Sequence, residues 1–226
     1  MTRHGLLTLA AVAAAILSAG CGAQQGDMTP PPPELMLADF TAPETPAGTD
    51  PAEWQVIIGG VVGGNSQATF EAGERWASFA GTIKLSALAP GIARVRAPYG
   101  KMDLGPYDGL EARVRGDGKN YRIYVKGTGA DDWVLYLAPF EAPAGEWTNV
   151  RVPFSDFTAL IGGVPNVLAA PANAEPVRSI GLMVVEQSEG PFQLDVQWVK
   201  AYRETDAAEA ADTAEPEPAG AEPTGP

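Results

Sequence analysis

Residues 111–127 read EARVRGDGKNYRIYVKG and hold the pattern that decides the fold class. The first run places Ala112 and Val114 opposite charged residues, and the second places Tyr121 and Ile123 opposite polar ones. Successive side chains of a strand point to opposite faces, so a period of two predicts a strand with one buried face. The segment therefore predicts two neighbouring, half-buried strands.

The stretch RGDGK at residues 115–119 lies between these strands and contains fragments of three functional motifs: an adhesion tripeptide, a calcium loop and a phosphate loop. A phosphate loop would lead into a helix, and a calcium loop would carry acidic residues at alternating positions; the sequence has neither. Asp117-Gly118 is a strong hairpin signal, because glycine tolerates the positive φ of a tight turn. We therefore predict a plain hairpin turn.

Alternating segments recur along the chain between glycine, proline and aspartate clusters. Roughly nine to eleven short strands and no convincing helix predict an all-β, single-domain fold, a jelly-roll β-sandwich. Within these segments we expect Tyr136 to face away from Leu135 and Leu137, and Trp198 to share the core face of Leu194. The further segments are GIARVRAP (91–98), DWVLYLAPF (132–140), EWTNVRV (146–152) and FQLDVQWVKAY (192–202).

The N-terminus reads as a targeting segment. Arg3 and His4 precede an apolar run, and small residues lead to Cys21, the only cysteine. The run is too short for a membrane span and has the length of a signal peptide. We predict a lipoprotein signal peptide over residues 1–21 with a lipidated Cys21; the alternative is an ordinary secretory signal. Gly22 then favours an exported protein held by lipid on the periplasmic side, at the outer membrane.

Three further segments follow the predicted anchor. Residues 22–37 form a Pro-rich linker, residues 38–203 the folded domain, and residues 204–226 an acidic tail expected to be disordered. The tail contains seven acidic residues and no basic one, so the net charge of −13 leaves −6 for residues 1–203. This balance argues against nucleic acid as a partner.

The composition also limits the chemistry. His4 is the only histidine and would leave with the signal peptide, while lipidation would remove the thiol of Cys21. Triads with histidine, His/Cys zinc sites and His-ligated haem are then excluded. We therefore predict that the protein is not an enzyme, since the carboxylates considered for glycoside hydrolysis lie near turns: Asp103, Asp108, Asp131, Asp132 and Asp156.

Five stretches, in this order, resemble one family over about residues 38–203: the complex I intermediate-associated protein family, or thirty-kilodalton NADH:ubiquinone oxidoreductase assembly factor domain. The resemblance implies a galactose-binding-like jelly roll, similar to some carbohydrate-binding modules. The stretches are EWQVIIGGVVGGNSQATFE (53–71), FAGTIKL (79–85), YDGLEARVRGDGKNYRIYVKG (107–127), EWTNVRVPFSDF (146–157) and IGLMVVEQSEGPFQLDVQWVKAY (180–202).

The resemblance also implies a function with one reservation. The family's named mitochondrial member is a chaperone for respiratory complex I, whereas an exported lipoprotein lies on the other side of the membrane from most of that assembly. We carry over the fold and a binding character, not the client. The chain also departs from the family pattern, with Ile58-Gly59 in place of Asn-Asp and Val62 in place of Met, which puts any role of that pair in doubt.

The outward positions of the central strands supply the candidate binding face. If neighbouring strands stack in register, they form a basic stripe with aromatic rungs, which suits a protein partner or an envelope glycan. The alternative is a solvated face with cross-strand pairs to Glu111 and Asp195. The candidate binding residues are Arg94, Arg113, Arg122, Tyr124, Lys126 and Tyr136.

Two further expectations concern ligands. We predict no cofactor, although a structural calcium ion with oxygens from Asp39, Asp103 or Asp195 stays open. If the acidic tail of residues 204–226 folds onto the basic stripe, its function is autoinhibitory.

Overall fold

The structure is a computed structural model, and all of its described residues except Pro30 belong to one compact unit, Pro31–Pro226. Cys21, within the predicted signal peptide, and residues 205–226 of the predicted tail lie outside the described residues. In the described part of the chain, no helix has the length and apolarity needed to cross a membrane. The described residues are 30–42, 49–58, 66–86, 90–127, 134–161, 164–166, 169, 171–174 and 176–204.

The described residues form strands in two sheets, with short 3-10 turns at Pro51–Glu53 and Phe154–Asp156. This confirms the all-β jelly-roll prediction. The strands are β1 Glu34–Asp39, β2 Gln55–Ile58, β3 Gln67–Ala72, β4 Ala77–Ile83, β5 Gly91–Arg96, β6 Gly109–Arg115, β7 Asn120–Gly127, β8 Val134–Glu141, β9 Thr148–Pro153, β10 Thr158–Ile161, β11 Val164–Pro165, β12 Val177–Glu186 and β13 Gly190–Tyr202.

The two sheets face each other across one hydrophobic core. The six-stranded sheet has the order β3-β4-β13-β6-β9, with β1 also paired to β13, and the seven-stranded sheet has the order β11-β10-β8-β7-β12-β5-β2. Inward side chains of both sheets are fully buried, among them Phe79 and Leu194 from the first and Ile123 and Leu182 from the second. Burial of such apolar surface is the main stabilising term for a sandwich.

The segment at residues 116–119 is not the hairpin turn that the sequence predicts. Strand β6 pairs with β13 and β9, whereas β7 pairs with β12 and β8, so the chain crosses here from one sheet to the other. The crossing lets the apolar faces of both strands meet the core from opposite sides. The requirement for glycine is nevertheless confirmed, because Gly118 has φ +85°.

Asp117 ties this crossing to the six-stranded sheet. Its Oδ2 accepts hydrogen bonds from Lys119 Nζ at 3.0 Å and from the Gln193 amide at 3.1 Å, and its Oδ1 accepts one from the Tyr121 hydroxyl at 2.9 Å. Partial burial raises the pKa of Asp117, but the hydrogen bonds from Lys119, Tyr121 and Gln193 outweigh it and lower the pKa below its usual value. The carboxylate is therefore a structural acceptor.

Substitution of Asp117 by asparagine should destabilise the domain by about 1 to 3 kcal/mol at pH 7, because the amide nitrogen cannot accept the bonds that one carboxylate oxygen receives. The folded pKa is depressed, so the ionised group stabilises fully above its unfolded pKa of about 3.9, and this contribution is lost as the pH falls through the folded value. Urea unfolding at pH 7 and at about pH 3 checks this; a wild-type advantage that grows in acid would contradict it.

A bulge in β13 reverses the direction of its side chains. The pairing with β6 shifts register between Val196 and Trp198, and Val199 and Ala201 are buried beyond that point. A bulge adds one residue to one strand and so changes which residues face inward. The expectation that Trp198 shares the core face of Leu194 is therefore wrong: Trp198 is half-buried, and Lys200 Nζ lies 4.7 Å from its ring centroid.

The folded region begins before the predicted linker ends. Strand β1 starts at Glu34, which pairs with Tyr202, and the Arg203 amide donates a hydrogen bond of 2.9 Å to the Pro33 carbonyl. The predicted linker of residues 22–37 thus overlaps β1.

Candidate functional site

The outer face of the seven-stranded sheet carries the largest group of predicted site residues. Residues directly opposed in antiparallel strands share a face. Across β5, β12 and β7, one such row is Arg94, Met183 and Arg122, and the next is Arg96, Gly181 and Tyr124. Lys126 follows Tyr124 on the same side of β7. We call the outward surface formed by Arg94, Arg96, Arg122 and Lys126 the basic face.

Tyr124 points outward but is not an exposed rung, which corrects the prediction. It is 1% exposed, and its hydroxyl donates a hydrogen bond of 3.1 Å to the Val95 carbonyl. Its ring crosses β12 where Gly181 leaves room, since a Cβ there would lie 2.3 Å from Tyr124 Cζ. Burial raises the pKa of Tyr124, although Arg94 and Arg96 partly oppose this. The neutral phenol of Tyr124 is therefore part of the packing that underlies the basic face, not part of its exposed surface.

Changing Tyr124 to phenylalanine should cost about 1 kcal/mol of unfolding free energy, because it removes one buried hydrogen bond and leaves the ring in place. Urea unfolding measures this difference. Tyr99, an exposed tyrosine of the same surface, is the matched control, and its change to phenylalanine should have less effect. Equal losses for the two variants would show that the Tyr124–Val95 bond does not stabilise the sheet.

Arg94 and Arg122, like Arg96, have no counter-charge among the described residues. They flank Met183 from both sides, about 10 Å apart by the usual strand spacing. Neither forms an ion pair with another described residue, and the buried Nε of Arg94 has no hydrogen-bond partner there. The outward positions of the described strands in this sheet include one acidic residue, Glu141, which lies at the far end of β8.

Tyr99 extends the basic face and was not among the residues predicted from the sequence. It is 46% exposed, and the guanidinium carbons of Arg96 and Arg178 lie 4.0 and 4.2 Å from its ring centroid. Lys126 Nζ lies 5.8 Å from the same centroid, and Arg96 also bonds Gln55 and the Tyr99 hydroxyl. Tyr99 lies in the loop after β5, where the alternation of side chains does not predict which way a residue faces. Its position three residues after Arg96 was the one sequence feature that placed it near the basic face.

Two other predicted members lie elsewhere. Arg113 belongs to β6, and thus to the outer face of the six-stranded sheet, where its Nε donates to Gln197 at 2.8 Å and its Nη1 to Asn149 at 3.0 Å. Tyr136 is opposite Val125 in the β7–β8 pair and packs against the core. The expected single stripe is therefore wrong. Strands β6 and β7 are in different sheets, and the side chain of Tyr136 in β8 points to the core and not to the outer face.

The outer face of the six-stranded sheet carries paired charges. The nearly buried Asp195 accepts hydrogen bonds from Arg115 Nε and Nη2 at 3.0 and 2.7 Å. The nearly buried Glu111 accepts from Arg151 Nε at 3.0 Å and lies 3.6 Å from Lys200 Nζ. We call this surface the paired face. It matches the alternative expectation of cross-strand pairs to Glu111 and Asp195.

Two tryptophans complete the paired face. Trp76 and Trp147 lie edge-to-face with ring centroids 6.2 Å apart. The guanidinium carbon of Arg115 is 5.2 Å from the first ring centroid and 4.8 Å from the second. Arg115 is thus fixed by a carboxylate and by two aromatic rings, an arrangement that stabilises the fold.

Other carboxylates considered from the sequence accept hydrogen bonds from backbone amides. Asp103 accepts from the Gly105 amide at 3.1 Å, Asp108 from the Glu204 amide at 2.7 Å, and Asp39 from the Thr41 amide at 2.9 Å. The Asp103 and Asp39 bonds, each to the amide two residues on, fit the expected turn chemistry, whereas the Asp108 bond joins the start of β6 to the residues after β13. Across the described residues, no group of three or more His, Cys, Asp or Glu side chains could hold a metal ion. Asp131 and Asp132 lie outside them.

The glycine-rich family motif lies largely outside the described residues. Ile58, which departs from the family pattern, ends β2 and is exposed, and residues 59–65 are not described. Ser66, at the end of the motif, is buried; its hydroxyl accepts from the Lys84 amide at 3.0 Å and lies 3.3 Å from the Lys84 carbonyl. This serine anchors the start of β3 to the end of β4.

Solved structures share this architecture. The family 11 carbohydrate-binding module of the cellulosomal cellulase Lic26A-Cel5E of Clostridium thermocellum superposes with a TM-score of 0.54 at 14% identity, covering 75% of this chain and 94% of the module. A family 11 module from Clostridium thermocellum in complex with a β-1,3-1,4-mixed-linked tetrasaccharide gives a TM-score of 0.52 at 16% identity, covering 75% and 95%. These similarities establish the fold.

Sequence comparisons establish the family. The probable mitochondrial complex I intermediate-associated protein 30 of Caenorhabditis elegans is 27% identical over 100 residues, which is 42% of this chain and 29% of that protein. Its counterpart in Caenorhabditis briggsae matches to the same extent. The matched segment is thus less than a third of these curated relatives. The family profile itself covers residues 38–196, and the chain therefore belongs to the Complex I intermediate-associated protein 30 (CIA30) family.

Proposed function

We propose that the protein is a non-catalytic binding module that takes an acidic segment of a protein partner on its basic face. The observation that carries this proposal is the contrast between the two outer surfaces. On the paired face, Arg115 and Arg151 form ion pairs with the nearly buried Asp195 and Glu111, and Arg113 is held by two side-chain amides. Arg94 and Arg122 have no ion pair with a described residue. Membership of a family whose relatives are named for complex I supports a protein partner.

The chemistry of the basic face favours carboxylates. Guanidinium groups present planar forks of donors that match a carboxylate in two-point contact. Met183 lies on β12, and Arg94 and Arg122 lie opposite it on the two neighbouring strands. One extended acidic segment that crosses Met183 can therefore place one carboxylate on each arginine. Tyr99, which is half-exposed, adds its ring beside Arg96 and Lys126. We attribute no bond-making step to this surface, and the proposed role is recognition.

A carbohydrate of the cell envelope is the second candidate. The specific observation in its favour is the fold shared with carbohydrate-binding modules, one of which holds a tetrasaccharide. The arginines of the basic face would select an acidic sugar.

We further propose that the module is exported and held at a membrane by a lipid on Cys21, with residues 22–33 as the spacer that leads to β1. The lone cysteine after small residues and an apolar run supports this placement. Labelling with palmitate should mark the wild-type chain and not a Cys21→Ser chain. Equal labelling of both would exclude this anchor, without bearing on the basic face.

Capture from detergent-solubilised native membranes tests the two binding candidates. The tagged full chain should retain a protein partner at low salt, and about 1 M salt should release it, since charges are then screened within about 3 Å. A glycan array with acidic and neutral sugars is the parallel measurement. Array binding without a captured protein would favour the carbohydrate candidate, and no binding in either experiment would contradict the proposal.

A further inference from the structure

We propose that the acidic segment of residues 204–226 binds the basic face of its own chain and so competes with the external partner. This inference rests on the proposed function, because it assigns a second ligand to the same surface. Two observations carry it: the place where β13 ends, and the uneven distribution of paired and unpaired cations over the two outer faces.

The segment leaves the sandwich at the end where the basic face begins. Tyr202, the last residue of β13, pairs with Gly109, the first residue of β6. Strand β6 runs from there to the crossing at residues 116–119, and β7 returns from the crossing to Gly127. Gly127 and Tyr202 therefore lie at the same end of the sandwich, one in each sheet.

The members of the basic face nearest to that end are Lys126, Arg96 and Tyr99. Lys126 directly precedes Gly127 in β7, and Arg96 is the last residue of β5. Both contact the Tyr99 ring, and Arg178 at the beginning of β12 contacts it as well. A chain that leaves β13 here and passes around the edge of the sandwich meets this cluster first.

The length of the segment suffices for this path. Stacked sheets are about 10 Å apart, and an extended residue spans about 3.3 Å or slightly more. A dozen residues after Glu204 can therefore pass the edge and reach the row of Arg94 and Arg122, which lies further along the same strands.

The charges are complementary. Residues 204–226 contain seven acidic residues and no basic one. On the paired face, three carboxylates already lie beside the cations: Asp195, Glu111 and Glu34. They repel a further carboxylate, and the donors of Arg113 are already used by Gln197 and Asn149. The basic face has Arg94 and Arg122 without such partners among the described residues. Electrostatics therefore selects one of the two outer faces for the segment.

Paramagnetic relaxation in the full chain tests the proposal directly. In a detergent-solubilised chain with Cys21→Ser, a nitroxide on Ala214→Cys supplies a single probe within the acidic segment. The amide signals of Arg94, Arg122 and Lys126 should broaden strongly, while those of Thr69 and Arg113 on the other sheet should not. Uniform broadening of both faces, or broadening of the paired face alone, would overturn the proposal.

A charge-neutral segment is the matched control. It keeps the chain length and changes the acids beyond Glu204 to their amides: Asp206→Asn, Glu209→Gln, Asp212→Asn, Glu215→Gln, Glu217→Gln and Glu222→Gln. The selective broadening should disappear in this chain. It should also disappear in a chain that keeps all the acidic residues of the segment but carries Arg94→Gln and Arg122→Gln. Broadening that survives both changes would show that charge does not hold the segment on the face.

The same variants separate this inference from the proposed function. If the segment competes, the charge-neutral chain should retain more partner from solubilised membranes than the wild type. Unchanged retention, with a partner still lost on Arg94→Gln/Arg122→Gln, would reject the competition and keep the proposed binding face. Selective broadening without any captured partner would keep the contact within the chain and reject the external partner.

Discussion

Replacement of Arg115 by alanine should lower the free energy of unfolding by about 3 to 5 kcal/mol. Asp195 is 2% exposed in the wild type and would lose both guanidinium hydrogen bonds at once. Among the described side chains, Gln193 Nε2, at 3.2 Å, would be the one still donating to it. An uncompensated buried carboxylate is among the most costly defects that a single substitution produces. Urea unfolding at pH 7 measures the loss.

Arg151→Ala is the matched control on the same face. Its partner Glu111 is also nearly buried, but Lys200 and Asn149 remain near Glu111 after the change. Arg151 itself is largely exposed, so we expect a loss of about 1 kcal/mol or less. Replacement of both Arg115 and Asp195 by alanine should lower the free energy of unfolding by less than replacement of Arg115 alone. Equal losses for the two arginines would show that the buried carboxylate does not depend on Arg115.

The double change Arg94→Gln and Arg122→Gln should weaken partner binding by about two orders of magnitude. A hydrogen bond to a charged group contributes about 1.5 kcal/mol or more, and about 1.4 kcal/mol corresponds to a tenfold change in affinity. Neither arginine forms an ion pair with a described residue, so the unfolding free energy should stay within about 0.5 kcal/mol of the wild type. The dissociation constant of the captured partner and urea unfolding are the two measurements.

Arg113→Gln supplies the control for this prediction. Arg113 has the same side chain and lies on the outer surface of the other sheet, where it bonds Gln197 and Asn149. It was a candidate of equal standing in the sequence, and its change should leave binding intact. Loss of binding with Arg113→Gln and none with the double variant would place the interface on the paired face.

The sequence predicted the direction of most side chains but not the sheet to which each strand belongs. Alternation is a local signal, so Arg94, Arg122 and Lys126 are outward as expected. Which strands pair depends on contacts between residues far apart in the chain. The Asp-Gly signal correctly located a turn that needs glycine, yet a turn within a sheet and a crossing between sheets share that need.

The remaining errors have similar causes. Residues 134–138 are apolar or aromatic at both parities, so only the pairing of Tyr136 with Val125 decides which side chains reach the core. The bulge before Trp198 leaves no mark in the alternation up to that point. Burial of Tyr124 depends on the absence of a Cβ at Gly181, which is distant in sequence and pairs with Tyr124 only once β7 and β12 are side by side. Such features arise from tertiary packing and are not encoded in any single window.

Site-specific photo-crosslinking in native membranes tests the binding face most directly. One photoreactive residue replaces Leu137, which is opposite Tyr124 on the outer side of the seven-stranded sheet, and another replaces Thr69 on the outer side of the six-stranded sheet. We predict a covalent adduct with a protein partner from position 137 and none from position 69. An adduct from position 69 alone would contradict recognition through the basic face.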